Sequence, residues 1–374
     1  MAMRKKLLAF TERLLALFLD NLYVKPKNVC RLLLHPGRFL GRSYFPEQKS
    51  KSKTAVLADQ LRNILLYGDV DHFYYFYGLD VKRSGRRRDY VHYAVFSKRR
   101  DRLNLSSPFN SSCILRNKLY FGIFARAVGL TTPANVAYVR MPDVLLLETG
   151  EHVSLEKFVD TCEGNLFCKL LDGECGTGIF ELEIRGRRIF IDGAEADAGI
   201  LHARLCGGVF LMQERVKQHH SLDELYAGAV NTVRLVTVRD LRSGGIEVLP
   251  SILRVGANGS RVDNTSQGGI AVGFDLQTGR LNELGFFKPE FGLTTTVHPD
   301  SGIRFGTFVL PHLDTMIEQA KYFHSFLGMH SIGWDIALGE MGPIFIEGND
   351  NWEINGHQDY EHGLMADFRR LFYE

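Results

Sequence analysis

Two acidic residues and an amide near the C-terminus have the spacing of a metal site. Apolar runs flank a short turn at 339–342, which predicts a β-hairpin. Asp335 then lies roughly opposite Glu347, and Glu347 shares a face with Asn349. Carboxylates on an apolar strand face repel one another unless a cation lies between them, and hard oxygen ligands suit Mg²⁺. The alternative is a surface hairpin with incidental acids. Four apolar neighbours weaken that alternative: Trp334, Ile336, Ile344 and Ile346.

A lysine followed by a glycine-rich segment is the second candidate for chemistry. Lys169 ends a predicted strand, and Gly173, Gly176 and Gly178 form a flexible turn before the next strand. Glycines let backbone N–H groups converge on an anion, and a nearby lysine supplies a compact charge. The segment lacks the Lys-Ser/Thr of a phosphate-binding loop. A glycine-rich hairpin loop without a ligand therefore remains an alternative reading.

The elements that must position these residues alternate between short strands and helices, without repeats, from residue 115 onward. This pattern predicts an α+β fold and not a repeating βαβ wheel. Helices are predicted at 55–66, 116–128, 194–204, 221–226 and 312–326. Strands are predicted at 166–171, 178–184, 187–191, 209–216, 232–239, 246–255, 269–274, 331–338 and 343–349.

Charge is distributed unevenly along the 374 residues. Residues 1–118 contain 24 Lys+Arg and 9 Asp+Glu, whereas the remainder contains 21 and 34. The basic, aromatic-bearing segment 80–103 favours a solvated face or a polyanionic partner such as a sugar nucleotide, and nucleic acid is the weaker reading. Six cysteines without a CxxC pair or metal-ligand spacing indicate free thiols in a reducing compartment.

The first 24 residues contain apolar positions at helical spacing with basic residues at the start. Their longest apolar run is too short for a signal peptide or a membrane span. The pattern predicts a helix packed on its own domain, with peripheral membrane contact through residues 1–24 as the alternative.

Several motifs together resemble the ATP-grasp superfamily, and most of all its sugar-transfer associated proteins of polysaccharide biosynthesis. The resemblance covers about residues 110–355. The matching segments, in order, are 117–133 (NKLYFGIFARAVGLTTP), Lys169 with its glycine loop, 212–219 (MQERVKQH), 231–237 (NTVRLVT), 268–270 and the acidic hairpin. Two positions depart from the pattern: Asn117 replaces an aspartate, and Cys175 replaces a small hydroxyl residue.

The resemblance implies an ATP-grasp fold in which two α+β lobes clamp the nucleotide. It divides the chain into a basic, partly helical N-terminal region (1–114), a small lobe with a glycine-rich flap (115–215) and a large lobe with the metal site (216–374). Lys118 and Lys169 would contact ATP phosphates, and Arg234, with Arg254, would stabilise the transferring phosphoryl group. Further nucleotide contacts would come from Gly173, Gly176, Gly178, Gln213, Glu214, Val216, His219 and Asn231. One or two Mg²⁺ would be bound by Asp335, Glu347 and Asn349.

The implied reaction joins a carboxylate to an amine through an acyl phosphate made from ATP. Positioning and charge screening suffice for this chemistry, which agrees with the lack of a Ser-His-Asp or Cys-His signature. The expected setting is cytoplasmic, at most peripheral at the inner membrane face, with small or sugar-linked substrates. A kinase acting on a sugar-type hydroxyl and a non-catalytic nucleotide-binding module remain alternatives. The sequence leaves the substrates and the oligomeric state open.

Overall fold

A computed structural model of the chain describes residues 18–82, 86–106, 111–171, 173 and 178–373. The chain forms two compact units, one of residues 1–102 with 353–374 and one of residues 103–352. The helices are α1 Lys25–Leu34, α2 Lys53–Tyr67, α3 Tyr93–Leu105, α4 Ser112–Arg116, α5 Lys118–Ala127, α6 Leu155–Thr161, α7 Ala198–Leu205, α8 His220–Leu225, α9 Leu313–Ser325 and α10 Met365–Phe372.

The strands belong to two antiparallel sheets of the second unit. They are β1 Asn135–Arg140, β2 Asp143–Leu146, β3 His152–Val153, β4 Gly164–Leu170, β5 Phe180–Arg185, β6 Arg188–Ile191, β7 Ala194–Ala196, β8 Phe210–Glu214, β9 Thr232–Arg239, β10 Ile246–Val255, β11 Ile270–Phe274, β12 Leu281–Phe286, β13 Thr294–Thr295, β14 Ser331–Gly339 and β15 Gly342–Asn349. The eight-stranded sheet has the order β3-β2-β1-β8-β4-β5-β6-β7, and the seven-stranded sheet has the order β13-β12-β11-β10-β9-β14-β15.

The seven-stranded sheet owes its stability to a strand that is buried on both faces. Every residue of β14 is buried, and helix α9 packs its apolar stripe of Met316, Ala320 and Phe323 into the same core. Phe323 stacks on Trp334 with ring centroids 4.9 Å apart. The i, i+4, i+7 spacing of that stripe is what places one helix face against the sheet.

In the eight-stranded sheet, strands β1, β5 and β6 bury alternate residues, the period expected of a sheet covered on one face, whereas the first four residues of the central strand β8 are all buried. Its core includes Ala137 and Val139 of β1, and helices α6 and α7 cover it. The predicted helix 194–204 is wrong at its start, because residues 194–196 form β7 instead. The side chain of Asp197 accepts a hydrogen bond from the backbone N–H of Ile200 and begins helix α7 there.

The first unit contains aromatic packing and a small charged network. Tyr77 and Tyr90 stack with ring centroids 4.9 Å apart. The carboxylate of Asp59 pairs with the ammonium of Lys51 and the guanidinium of Arg87, each at 2.7 Å. Within the basic segment 80–103, Arg87 is therefore part of the fold of this unit.

The predicted N-terminal helix lies mostly outside the described residues. Residues 20–24 form a helical turn that leads into α1, and the side chains of Phe18, Leu22 and Tyr23 are exposed. In the part of the chain that the structure describes, no helix combines the length and apolarity needed to cross a bilayer.

Candidate active site

The acidic hairpin forms with the predicted pairing, for a reason that the sequence did not reveal. Strands β14 and β15 pair Asp335 with Glu347, as predicted. Counting outward from the turn, regular pairing would set Ile346 opposite Asp335. A one-residue bulge beyond Ile336 shifts the register and brings Glu347 there instead. Asn349 lies on the same side, with its Nδ2 3.5 Å from Oε1 of Glu347.

Two arginines from neighbouring strands hold the Asp335 carboxylate. Arg234 lies opposite Asp335 on β9, and its guanidinium donates through Nε and through Nη2, the latter at 2.9 Å. Arg254 of β10 places Nη2 2.8 Å from Oδ2 of Asp335. Burial would raise the pKa of Asp335, but the Arg234 and Arg254 guanidiniums hold it well below its usual range. Asp335 is therefore ionised.

Glu347 has the opposite electrostatic situation. Burial and the facing Asp335 carboxylate raise the pKa of Glu347, and the two carboxyl groups lie within hydrogen-bonding range of each other. Like charges this close favour one shared proton or a cation between them. The hairpin therefore presents Asp335, whose negative charge is balanced by two guanidiniums, and Glu347, whose negative charge is opposed by the Asp335 carboxylate.

Asp263 is a charged member of this cluster that sequence reasoning missed. Its carboxylate accepts hydrogen bonds from the backbone N–H of Thr232, at 3.0 Å, and from the hydroxyl of Thr232. The same hydroxyl accepts from Nη2 of Arg254 at 2.7 Å. Asp263 lies in an irregular segment, so no periodicity could indicate it. The nearest signal is Gly269, where a Cβ would lie 2.2 Å from the Asp263 carbonyl oxygen.

The two predicted lysines come from different elements. Lys118 follows Asn117, whose side chain caps α5 by accepting from the N–H groups of Leu119 and Tyr120 at 3.0 Å. An asparagine can thus fill the capping role of the expected aspartate. The ammonium of Lys118 donates to the carbonyl of Gly173 at 2.6 Å.

Lys169 is partly buried on β4, and no described residue accepts a hydrogen bond from its ammonium. Burial lowers the pKa of Lys169, and Lys118 adds to this effect, whereas Glu347, Asp335 and Asp263 act in the opposite direction. These interactions place Lys169 of the eight-stranded sheet near the acidic cluster of the seven-stranded sheet.

The glycine-rich loop is described only at its ends. Gly176, with residues 172, 174, 175 and 177, lies outside the described residues. Gly178 has a φ of +70°, and a Cβ there would lie 2.4 Å from Cδ1 of Leu170. Any larger residue at this position would be both strained and crowded.

The segment 212–219, which the resemblance makes the hinge that holds adenine and ribose, begins inside β8 and continues beyond its end at Glu214. The backbone N–H of Glu214 donates to the carbonyl of Ala134 at 2.9 Å, and the Glu214 side chain is exposed. Gln213 is buried and donates to Oδ1 of Asn135 at 2.8 Å. Val216 is partly exposed.

Two further predicted contact residues have their side chains engaged within the protein. Asn231 is fully buried; its Nδ2 donates to Oε1 of Gln218 and to two backbone carbonyls, and its Oδ1 accepts from the N–H of Gly256. The His219 ring contacts Ser221 and Glu340.

The arrangement of the two sheets agrees with the sequence comparison. The chain matches the family described as sugar-transfer associated ATP-grasp over residues 99–370. The chain belongs to this family. The ATP-grasp α+β fold expected from the sequence is thereby confirmed, with two lobes built on the two sheets. No individually curated protein is significantly similar to the chain.

Several solved structures are similar to parts of the chain. An ADP complex of purK, an N5-carboxyaminoimidazole ribonucleotide synthetase, is 13% identical, with a TM-score of 0.39 over 69% of this chain and 52% of that chain. VanG D-Ala:D-Ser ligase from Enterococcus faecalis is 12% identical, with a TM-score of 0.40 over 70% and 61%. The ATP-grasp ligase PsnB, complexed with a phosphomimetic variant of its minimal precursor, Mg and ADP, is 13% identical, with a TM-score of 0.37 over 70% and 59%. The chain spans between about half and three fifths of their lengths.

Proposed function

We propose that the protein is a Mg²⁺-dependent ATP-grasp ligase that joins a carboxylate to an amine through an acyl phosphate. The observation that carries the proposal is the Lys169 ammonium. It is partly buried, has no described hydrogen-bond acceptor and lies in the field of Glu347 and Asp335. Such a cation is costly unless an anion joins it, and a nucleotide phosphate is the anion that this family handles.

The residues around the hairpin fit Mg²⁺. Asp335, Glu347 and Asn349 offer carboxylate and amide oxygens, the ligands that this ion prefers. Burial and the facing Asp335 carboxylate raise the pKa of Glu347, and a cation between the two carboxyl groups would relieve their repulsion. Bound Mg²⁺ would screen the charge of the ATP phosphates.

The two arginines would act on the reacting phosphoryl group. Arg234 and Arg254 are held by Asp335 on one side, so their guanidiniums are fixed before substrate arrives. Fixed donors stabilise developing negative charge without reorganising at the moment of reaction. Asp263 and Thr232 position Arg254, since both contact its guanidinium.

The chemical steps need only these groups. The substrate carboxylate takes the terminal phosphoryl group of ATP and releases ADP. The amine then attacks the acyl carbon and displaces phosphate, which leaves an amide. Lys118 and Lys169 hold the phosphates, and the loop from Gly173 to Gly178 would exclude water.

The remaining predicted residues have assignments that follow their contacts. Glu214, Val216 and the hinge backbone would flank adenine and ribose. Gln213 and Asn231 would act by positioning β8 and β9, because their side chains are engaged inside the fold. The His219 ring is excluded from this assignment, since it is directed toward Glu340.

The biological setting is also part of the proposal. The family's description associates it with sugar transfer, which supports a role in polysaccharide or related glycan biosynthesis. The five described cysteines are free, which suits a reducing cytoplasm. The exposed Phe18, Leu22 and Tyr23 would permit peripheral membrane contact.

Thermal denaturation with nucleotide tests the binding half of the proposal. Mg²⁺-ATP should raise the melting temperature of the parent, because a ligand bound only by the folded state stabilises it. Glu347→Gln should melt at or above the parent temperature without Mg²⁺, because one of two facing acids is removed, and should lose the rise with Mg²⁺-ATP. Glu318→Gln, an exposed glutamate of α9, is the matched control and should keep that rise. A parent that neither ATP nor ADP stabilises at millimolar concentration would refute the proposal.

An ADP-release screen tests the chemical half. The substrates are pooled amino acids, uronic acids and amino sugars, with mass spectrometry on any mixture that releases ADP. A ligase yields free phosphate and a condensed product. A phosphorylated product without free phosphate would instead identify a kinase.

A further inference from the structure

Three side chains that could bind a metal meet at the tip of the acidic hairpin: His219, His220 and Glu340. Nε2 of His219 lies 3.6 Å from one carboxylate oxygen of Glu340, and Nδ1 of His220 lies 3.0 Å from the other. One ligand atom from each residue lies within 4.8 Å of the other two. Among the residues that the structure describes, this is the one group of three or more His, Cys, Asp or Glu side chains with that property.

We infer that His219, His220 and Glu340 form a second metal site, for a zinc-type divalent cation. Two imidazoles and one carboxylate are the donor set that Zn²⁺ accepts, with bonds of about 2.0–2.2 Å. The separations of 3.0 and 3.6 Å between the histidine nitrogens and the Glu340 oxygens are close to those between two ligands of one tetrahedral ion with such bonds. Mg²⁺ is a poor occupant because it prefers oxygen ligands.

Contacts behind the ligands hold them in place. The backbone N–H of His220 donates to the Glu340 carboxylate at 2.7 Å. The Nδ1 atom of His219 accepts from the backbone N–H of Ser221 at 3.2 Å and lies 2.8 Å from its hydroxyl, which holds the ring with Nε2 toward Glu340. With a metal on Nε2, Nδ1 would carry the ring proton and donate it to this hydroxyl. A ligating histidine commonly uses its second nitrogen in this way.

A third histidine closes one side of the site. His312 has a φ of 57°, an unusual conformation for a residue with a side chain. Its ring is edge-on to that of His219, with centroids 5.7 Å apart, and its Nε2 lies 3.1 Å from the Glu340 carbonyl oxygen. His220 and Glu340 are exposed, so the cation would keep an open position toward solvent.

The position of the site suggests what the cation does. Glu340 belongs to the turn that joins the strands of Asp335 and Glu347, whereas His219 is the last residue of the predicted hinge and His220 follows it. The two segments already share a backbone hydrogen bond from the N–H of His219 to the carbonyl of Leu338, at 2.7 Å. A metal would therefore fasten the hinge to the acidic hairpin, a role separate from the proposed ligase chemistry.

Titration with Co²⁺ as a spectroscopic substitute for Zn²⁺ tests the site directly. The full chain is titrated in excess Mg²⁺, so that the oxygen site at Glu347 is occupied, and the visible absorption of Co²⁺ is followed. We expect one saturable equivalent with the parent. His220→Ala and Glu340→Gln should each weaken binding by about tenfold or more.

Two controls separate this site from other histidines. His152→Ala removes an exposed histidine that pairs with Asp143 alone, and His202→Ala disrupts its contact with the Cys206 thiol. Both should bind Co²⁺ as the parent does. The same affinity in the parent, His220→Ala and Glu340→Gln would overturn the inference, as would a parent with no saturable binding. Zn²⁺ should also raise the melting temperature of the parent and not of Glu340→Gln, and an equal rise in both would contradict the site.

Discussion

The two sheets of the second unit treat charge in opposite ways. The seven-stranded sheet contains charged residues in its central strands, where Arg234, Arg254 and Asp335 have side chains only 18%, 16% and 5% exposed. The ion pairs of the eight-stranded sheet lie mostly at its surface, as in Arg188 with Glu195, which are 64% and 58% exposed. Lys169, its contribution to the proposed site, has no described partner.

This difference suggests a division of labour. In the seven-stranded sheet, Arg234 and Arg254 are paired with Asp335 before any ligand arrives, so this cluster is organised in advance. The eight-stranded sheet contributes Lys169, whose ammonium has no described hydrogen-bond acceptor and is therefore available to an arriving anion. Substitutions of the paired charges Arg234, Arg254 and Asp335 should therefore affect folding, and substitution of Lys169 should affect binding.

The largest effect is expected from Asp335→Asn. Removing this carboxylate leaves two partly buried guanidiniums without their shared anion, which should lower the free energy of unfolding by about 3 kcal/mol. Glu195→Gln removes an exposed partner in the other sheet and should leave stability unchanged. Chemical denaturation of both variants measures the difference. Equal stability of Asp335→Asn and the parent would show that the cluster is not organised by its own charges.

A smaller effect is expected from Lys169→Ala, and on binding instead of folding. Loss of one phosphate-contacting cation should weaken ATP binding by about 1.5–3 kcal/mol while the melting temperature without nucleotide stays the same or rises. Lys169→Arg should also bind poorly, because a planar fork does not replace a compact ammonium. Lys157→Ala, an exposed lysine on α6, is the control for calorimetric titration. Unchanged affinity in Lys169→Ala would remove this residue from the proposed site.

The smallest effect concerns a histidine in the core of the seven-stranded sheet's lobe. His324 is fully buried between the Thr237 hydroxyl, at 2.7 Å, and the Met329 carbonyl, at 3.0 Å. Burial lowers the pKa of His324 to about 3. Below pH 6.5 the His324 ring is therefore protonated in the unfolded chain but stays neutral in the folded chain. The free energy of unfolding is therefore highest above the unfolded pKa of about 6.5 and falls with pH below it. The loss from pH 7 to pH 5 is about 2 kcal/mol.

His324→Gln isolates this contribution. The variant should be less stable than the parent near neutrality, and the difference should shrink in acid. His202→Gln, at an exposed position on α7, should follow the pH dependence of the parent. Parallel stability curves for the parent and His324→Gln would mean that His324 contributes nothing to acid sensitivity.

The sequence predicted the buried strands best. Strands β9 and β10 have the predicted bounds, because long runs of β-branched and apolar residues have few other structures available. Strands β1, β2, β3, β12 and β13 were not predicted, since they are short or partly exposed and their composition is ordinary.

The candidate site was predictable where its residues lie on regular strands. The pairing of Asp335 with Glu347 followed from the hairpin, but the bulge that produces it did not. Asp263 reaches the cluster from an irregular segment, and the meeting of His219 with Glu340 joins residues 121 positions apart. Contacts of this kind depend on tertiary packing, which no local pattern encodes.

Because of the bulge in the hairpin, the number of residues in each strand determines the chemistry of the site. Between the turn and the acidic residues, the identity of each side chain matters mainly for packing, whereas the number of residues decides which side chain faces Asp335. An insertion of one apolar residue into this stretch of β15 would preserve hydrophobicity, strand propensity and every functional residue type. It would nevertheless turn the acidic pair apart. Related proteins that contain this hairpin should therefore vary at many of its positions but rarely in its length.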